Sequence, residues 1–340
     1  MRWFLTIIAA IATACTPQQD QPEENLYTAR EVDALIRDTT SWLRELQAII
    51  EAISQGPLDA SETVFLIERF NADDINFRDA RAEFGVIIEH QRADLETLRE
   101  RFSSISPPEN IPNENLRELG ERATQSVEGM FVHSETLLNL QEAIFAGLTD
   151  KYTDISDLVV AEFESRRLLL LHMIGYNENI RLASPPGHPQ EYLLGAHNGA
   201  IQGLIAVINY EESLFTKGFP GRRQPLVLEL RRQADRISRY SGAGRNSIQP
   251  SVTRAREMVD AAPGVETAAL IPGMLETFGS SFDRTDELVL LLTDFANEIE
   301  RVGSEDAVWV AVDTFYLDYV VIEDAILTLQ NERSQSLLGE

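Results

Sequence analysis

Cysteine, lysine and long apolar runs are scarce in this 340-residue chain, and each scarcity excludes something. Cys15 is the single cysteine, so no intramolecular disulfide can form. Lys151 and Lys217 are the only lysines, so positive charge is carried almost wholly by arginine, whose planar fork suits pairing with carboxylates along helix faces. The apolar run at residues 3–14 falls short of the roughly 20 residues a spanning helix takes. Positive charge as a whole is in deficit: 29 basic residues face 55 acidic ones, a net of −26. Such a field repels nucleic-acid phosphates and anionic lipid surfaces, which removes both as broad partners.

Motifs of catalysis are also missing. None of the five histidines (His90, His133, His172, His188, His197) has a glutamate three positions before it, the spacing that bundle di-iron sites use. The zinc-protease spacing His-Glu-x-x-His is absent, as is a Gly-x-Ser-x-Gly elbow. Ser241-Gly242-Ala243-Gly244 lacks the lysine and the preceding strand of a phosphate-binding loop. No catalytic residue and no cofactor is expected.

What is present begins at the start of the chain. Arg2 precedes the charge-free run WFLTIIAAIATA, which has the length of a signal-peptide core and ends Ala12-Thr13-Ala14-Cys15. The segment resembles the lipobox of bacterial lipoprotein precursors, where small residues precede an obligatory cysteine. The resemblance covers residues 1–16. It implies cleavage between Ala14 and Cys15, acylation of Cys15 (palmitate among the chains), and attachment to membrane through those chains. Several acyl chains anchor stably, where one binds only marginally. Thr16 follows the cysteine where aspartate would imply inner-membrane retention, so the outer membrane facing the periplasm is the expected address. The other reading of the same run is an ordinary cleaved signal peptide with an incidental thiol.

Residues 16–25 show no apolar periodicity and form a leash. Thr28-Ala29-Arg30-Glu31 has capping-box spacing and opens the helical part. One stripe joins Val32, Leu35, Ile36, Leu43, Leu46, Ile50 and Ile53, and stops at Gly56-Pro57. Asp59 and Glu62 cap a segment reaching Phe70. A third stripe runs Phe84, Ile87, Ile88, Leu95, Leu98, Phe102, Ile105; a fourth runs from Leu116 through Ala123, Val127, Met130 and Leu138 to Leu148. Further helices are predicted at about 153–182, 192–217, 225–241 and 247–261 either side of the Ser-Gly-Ala-Gly break, then one ending at Ile299, and a last at 305–332. The fold class is all-α: long antiparallel helices in one extended or two adjacent bundles. The predicted organisation is signal peptide 1–14, lipidated cysteine and tether 15–27, first bundle 28–148 and second bundle 149–340.

Two local features could bind something. His172, His188 and His197 cluster in sequence with Tyr176, Glu178, Asn179 and Asn198, a setting for a transition metal or small ligand around His172 and His197; the competing reading makes them hydrogen-bonded core residues. Between positions 222 and 256 lie nine arginines against only Glu229 and Asp235, a local +7 in a chain at −26. Arg222, Arg223, Arg231, Arg232, Arg236 and Arg239 are candidates for docking an anionic envelope component or an acidic partner protein. The competing reading pairs them with acidic faces of neighbouring helices. The expected role is a non-catalytic envelope protein that binds or scaffolds; the rival is a metal- or ligand-handling protein or enzyme near His172 and His197.

Overall fold

The computed structural model describes residues 61–108, 114–147, 155–184, 186–261 and 271–338, with scattered positions between 38 and 56. Among them the regular structure is all α-helix: α1 Ser61–Asn71, α2 Phe77–Ser103, α3 Glu114–Gly147, α4 Ser156–Ala183, α5 Pro189–Lys217, α6 Arg223–Ala261, α7 Ile271–Glu276, α8 Phe278–Arg301 and α9 Glu305–Leu338. Residues 1–37, and with them the signal run, Cys15 and the leash, lie outside the described residues. Helical positions at 42, 46, 49, 50 and 53 bury Trp42, Leu46, Ile49, Ile50 and Ile53, the spacing of a single helical stripe.

The chain starts and stops its helices with local chemistry. Asn76 caps α2 by accepting from the Asp79 amide at 3.1 Å, satisfying one of the donors a helix start leaves over. His188 does the same for α5, its Nδ1 accepting from the Gln190 amide at 3.2 Å, and Pro189 fits the first turn because it has no N–H to satisfy. α5 therefore begins three residues earlier than its apolar pattern predicts. It ends at Gly218, whose φ of 73° is open to glycine, with its amide bonded to the Leu214 carbonyl at 2.8 Å.

The larger departure is α6. The predicted break at residues 241–244 does not occur: a single helix of 39 residues runs through both glycines and through Pro250. Each glycine weakens a helix by only about 1 kcal/mol and proline by about 3, and the buried contacts made along α6 outweigh them.

Cross-helix contacts give the direction of each neighbour. In α2 and α3, Arg92 meets Asn139 and Glu142, Arg99 meets Glu135, and Phe102 meets Phe131, so one number rises as the other falls. The same descending pairing joins α5 to α6 through Gly195–Tyr240, Gly199–Ile237 and Gly203–Leu230. It joins α6 to α8 through Arg231–Glu300, Arg245–Asp286 and Arg256–Glu276, the last lying in α7 just before α8. Antiparallel packing follows from short connections between long helices.

Contacts divide the chain into two compact units. The first holds α1, α2, α3 from Gly120, and α4 as far as Met173; the second holds α4 from Ile174 and all of α5 to α9. Trp42 anchors the first: its ring lies where a Cβ at position 120 would stand, so only glycine fits there. Phe84, Ile88, Leu95, Val127, Met130 and Leu138 fill its interior as their periodicity predicts. In the second, Leu193, Val252, Ala255, Leu275, Phe278 and Phe282 form one cluster, and Phe295 stacks on Phe315 at 4.4 Å between ring centres.

Candidate functional site

Helix α5 is largely buried in the second unit, and one of its faces is small. Gly195, Gly199 and Gly203 recur every fourth residue, so they share one face. Their missing Cβ atoms leave room for the Tyr240 ring, for Ile237 and for Leu292 respectively. Close approach of α6 in turn brings polar side chains of the two helices within hydrogen-bond reach.

Three groups of polar contacts lie along α4, α5 and α6. Gln202 Oε1 accepts from Gln233 Nε2 at 3.0 Å and from Arg236 at 2.9 Å, while Gln233 also donates to Glu229 at 2.6 Å. Buried Asn177 donates to buried Asn198 at 3.0 Å, tying α4 to α5. Arg181 grips Glu178 with two bonds of 2.9 and 2.6 Å and reaches Glu191 at 3.3 Å. Glu191 accepts from the Gly187 amide at 2.9 Å and so fixes the turn before α5. Those Arg181 bonds hold the Glu178 carboxyl below its ordinary range, with the Arg236 charge adding to them. Charge-assisted bonds of this kind are the stronger ones. The groups are directed at one another, and the arrangement works as a clamp among α4, α5 and α6.

The arginines of α6 divide by what they reach. Arg231 crosses to Asn297 at 3.0 Å and Glu300 at 2.7 Å on α8. Arg236 lies over the Tyr240 ring at 5.7 Å as well as bonding Gln202. Arg245 joins Ser241, Asp283 and Asp286, and Arg256 joins Glu276. By contrast Arg232 and Arg239 pair within their own helix, with Glu229 and Asp235, and their side chains stay 69% and 73% exposed. Arg222 is exposed and Arg223 half-buried at the start of α6. Of the six candidates, Arg222, Arg232 and Arg239 are therefore the most outward, the last two each beside a carboxylate of their own helix, and exposed Arg254 lies farther along α6.

His172 and His197 belong to different units. His172 packs against Gly129 in the first. Burial, followed by the Arg122 charge, lowers its affinity for a proton. His197 is buried in the second, where desolvation pushes its pKa down to about 3. His133 bonds Ser165 Oγ at 3.0 Å and is held at about 4, mainly by burial. All three are neutral at pH 7, the form that can ligate a metal, but no group of three or more metal-donor side chains forms among the described residues. An open depression of about 550 Å³ lies on α8, lined by Asp294, Asn297, Glu298, Arg301 and Val302 beside the Arg231 contact. Cys15 lies outside the described residues.

Compared with family models, curated proteins and solved structures, the chain matches none. The reading of function therefore rests on its own residues. Two contributors to the clamp had a sequence signal that composition alone hides: the four-residue recurrence of glycine in GAHNGAIQG, and the histidine–proline pair that opens α5. The Glu211–Tyr316 bond of 2.5 Å between α5 and α9 had none, since 105 residues separate its ends.

Proposed function

We infer that this is a lipid-anchored protein of the cell envelope, held to the periplasmic face of the outer membrane through acyl chains on Cys15. Its helical part binds or scaffolds an envelope partner without catalysis. The observation that carries the reading is the run WFLTIIAAIATA closing on the chain's single cysteine. An acidic protein at −26 gains nothing from anionic lipid by charge, so a covalent anchor is the route to the membrane that its composition favours. The folded part supports a scaffolding role through its clamp: polar groups that tie helices together make a rigid surface. Arg222, Arg223, Arg232 and Arg239 supply that surface with guanidinium groups suited to carboxylates or phosphates. Arg231 and Arg236 serve it from behind by fixing α6 to α8 and α5.

Fractionation of the native host together with intact-mass measurement tests the anchor. Wild type is expected in the membrane fraction with acyl mass on Cys15, and a Cys15→Ser variant outside it. Soluble wild type with unmodified Cys15 would overturn the reading.

A further inference from the structure

The last helix is apolar on two opposite faces. One face, with Val308, Ala311, Val312, Phe315, Tyr319 and Ile326, is buried. The other carries Val310, Leu317, Val320 and Val321, which are 65%, 70%, 62% and 70% exposed. At 100° per residue Val310, Leu317 and Val321 line up within one narrow stripe, about 17 Å long at 1.5 Å per residue. Large side chains exposed singly need no explanation, but a continuous stripe on one helix marks an interaction surface.

Charge on the same face says what fits it. Asp306, Asp313 and Asp324 fall along one edge of the stripe, and all three are exposed. Residues 305–324 hold five exposed carboxylates (Glu305, Asp306, Asp313, Asp318 and Asp324) and no basic residue; a sixth, Glu323, is less exposed, and burial raises its pKa to about 7. Two copies of this face would bring like charges together, and an anionic lipid surface would be repelled by it. A partner helix with an apolar stripe edged by lysine or arginine matches both the apolar and the acidic part. This is the helix-against-helix mode read from anchors at i, i+7 and i+11.

We propose that the outward face of α9, built on Val310, Leu317 and Val321 and edged by Asp306, Asp313 and Asp324, docks a cationic amphipathic helix of a partner protein. The site needs neither the acyl anchor nor the arginines of α6, so failure of the anchored reading leaves it standing.

The test uses the purified full chain and two fluorescent designed helices: one of leucine and lysine in amphipathic order, the other with glutamate in place of lysine. A protein at −26 attracts any cation, so the decisive comparison leaves charge unchanged. Leu317→Gln with Val321→Gln is expected to weaken the lysine helix about tenfold, which is about 1.4 kcal/mol, with the circular-dichroism melt unmoved. Replacing Asp306, Asp313 and Asp324 by asparagine should weaken it by a similar factor. The same three-charge change at exposed Glu68, Glu89 and Glu96 in the other unit should weaken it far less. Affinity should also fall as salt rises. Equal binding of the two helices, or indifference to Leu317→Gln and Val321→Gln, overturns the proposal. So does self-association that those two substitutions abolish, which would make the occupant a second copy. Binding to phosphatidylcholine vesicles that depends on the same residues would make it a lipid surface, and overturns it as well.

Discussion

Gly242 and Gly244 stand two positions apart in the middle of α6, and the structure assigns opposite signs to the same substitution at each. Nothing lies within 4 Å of a Cβ added at Gly242, and the residue is exposed. Gly242→Ala should therefore return the helix-propensity difference, about 1 kcal/mol of added stability. At Gly244 the same Cβ would meet three carbons of the Phe282 ring closer than 3.0 Å. Phe282 is 0% exposed and held among Leu193, Val252, Ala255, Leu275 and Phe278, so the ring has nowhere to move. Overpacking of this kind costs about 3 kcal/mol at its upper end. Against the same 1 kcal/mol of propensity, Gly244→Ala should destabilise by about 2 kcal/mol. With a urea slope of about 2 kcal/mol/M, the two variants should differ in midpoint by about 1.5 M, on opposite sides of wild type. Urea unfolding followed by circular dichroism measures this, and hydrogen exchange of α6 amides localises it. Phe282→Leu should make room and reduce the cost of Gly244→Ala in the double variant, a coupling that only direct contact produces. Equal shifts at both glycines, or additivity with Phe282→Leu, would refute the packing argument.

The cap of α5 should make stability depend on acid. His188 is held at about 4 by burial, against 6.5 when exposed, so the unfolded chain takes up the proton first. Its contribution is whole above pH 6.5, falls as pH drops from 6.5 to about 4, and totals at most about 3 kcal/mol. His188→Asn keeps a capping oxygen without that titration, so melting temperatures between pH 4 and 7 should fall less steeply than in wild type; parallel curves would refute the role. Tyr316→Phe removes the 2.5 Å bond that the phenol donates to the buried Glu211 carboxyl. It should cost about 2 kcal/mol in urea unfolding of the second unit, followed by Trp309 fluorescence. A loss under about 0.5 kcal/mol would show that the bond does not hold α9 to α5.

How much of this could be read from the chain depends on how local each signal is. Helix stripes are local, and Leu46, Ile50, Phe84, Ile88, Leu95, Val127 and Met130 are buried as their spacing predicts. Ile144 shares the period of the fourth stripe yet is 41% exposed near the end of α3, since matching a period does not itself supply a neighbour to pack against. Ion pairs one turn apart, Arg232–Glu229 and Arg239–Asp235, follow from spacing alone. Arg231–Glu300 and Arg245–Asp286 do not, because they need the register of α6 against α8. The break predicted at residues 241–244 fails for a related reason. A glycine in sequence reports a small local weakness, and only the partner helix shows that the ring of Phe282 occupies the space it leaves. Likewise His172 and His197 are near in sequence, yet the division after Met173 puts them in separate units.

The outward stripe of α9 lies between these cases. Its period is as legible as any core stripe, and by periodicity alone it would be assigned to the interior. What separates Val308 from Val310 is that one face is buried and the other exposed, and the sequence of a single helix holds no record of how many neighbours it has. Charge is the part of that record that survives. A face meant for the interior excludes carboxylates, since burying an unpaired charge is costly. Glu323, beside Tyr319 of the buried stripe, shows that cost, since burial raises its pKa to about 7, while Asp306, Asp313 and Asp324 stand exposed at the edge of the outward stripe. Acidic residues threaded through an apolar stripe thus mark α9 as a helix with two partners of different chemistry, one apolar and already in place, the other cationic.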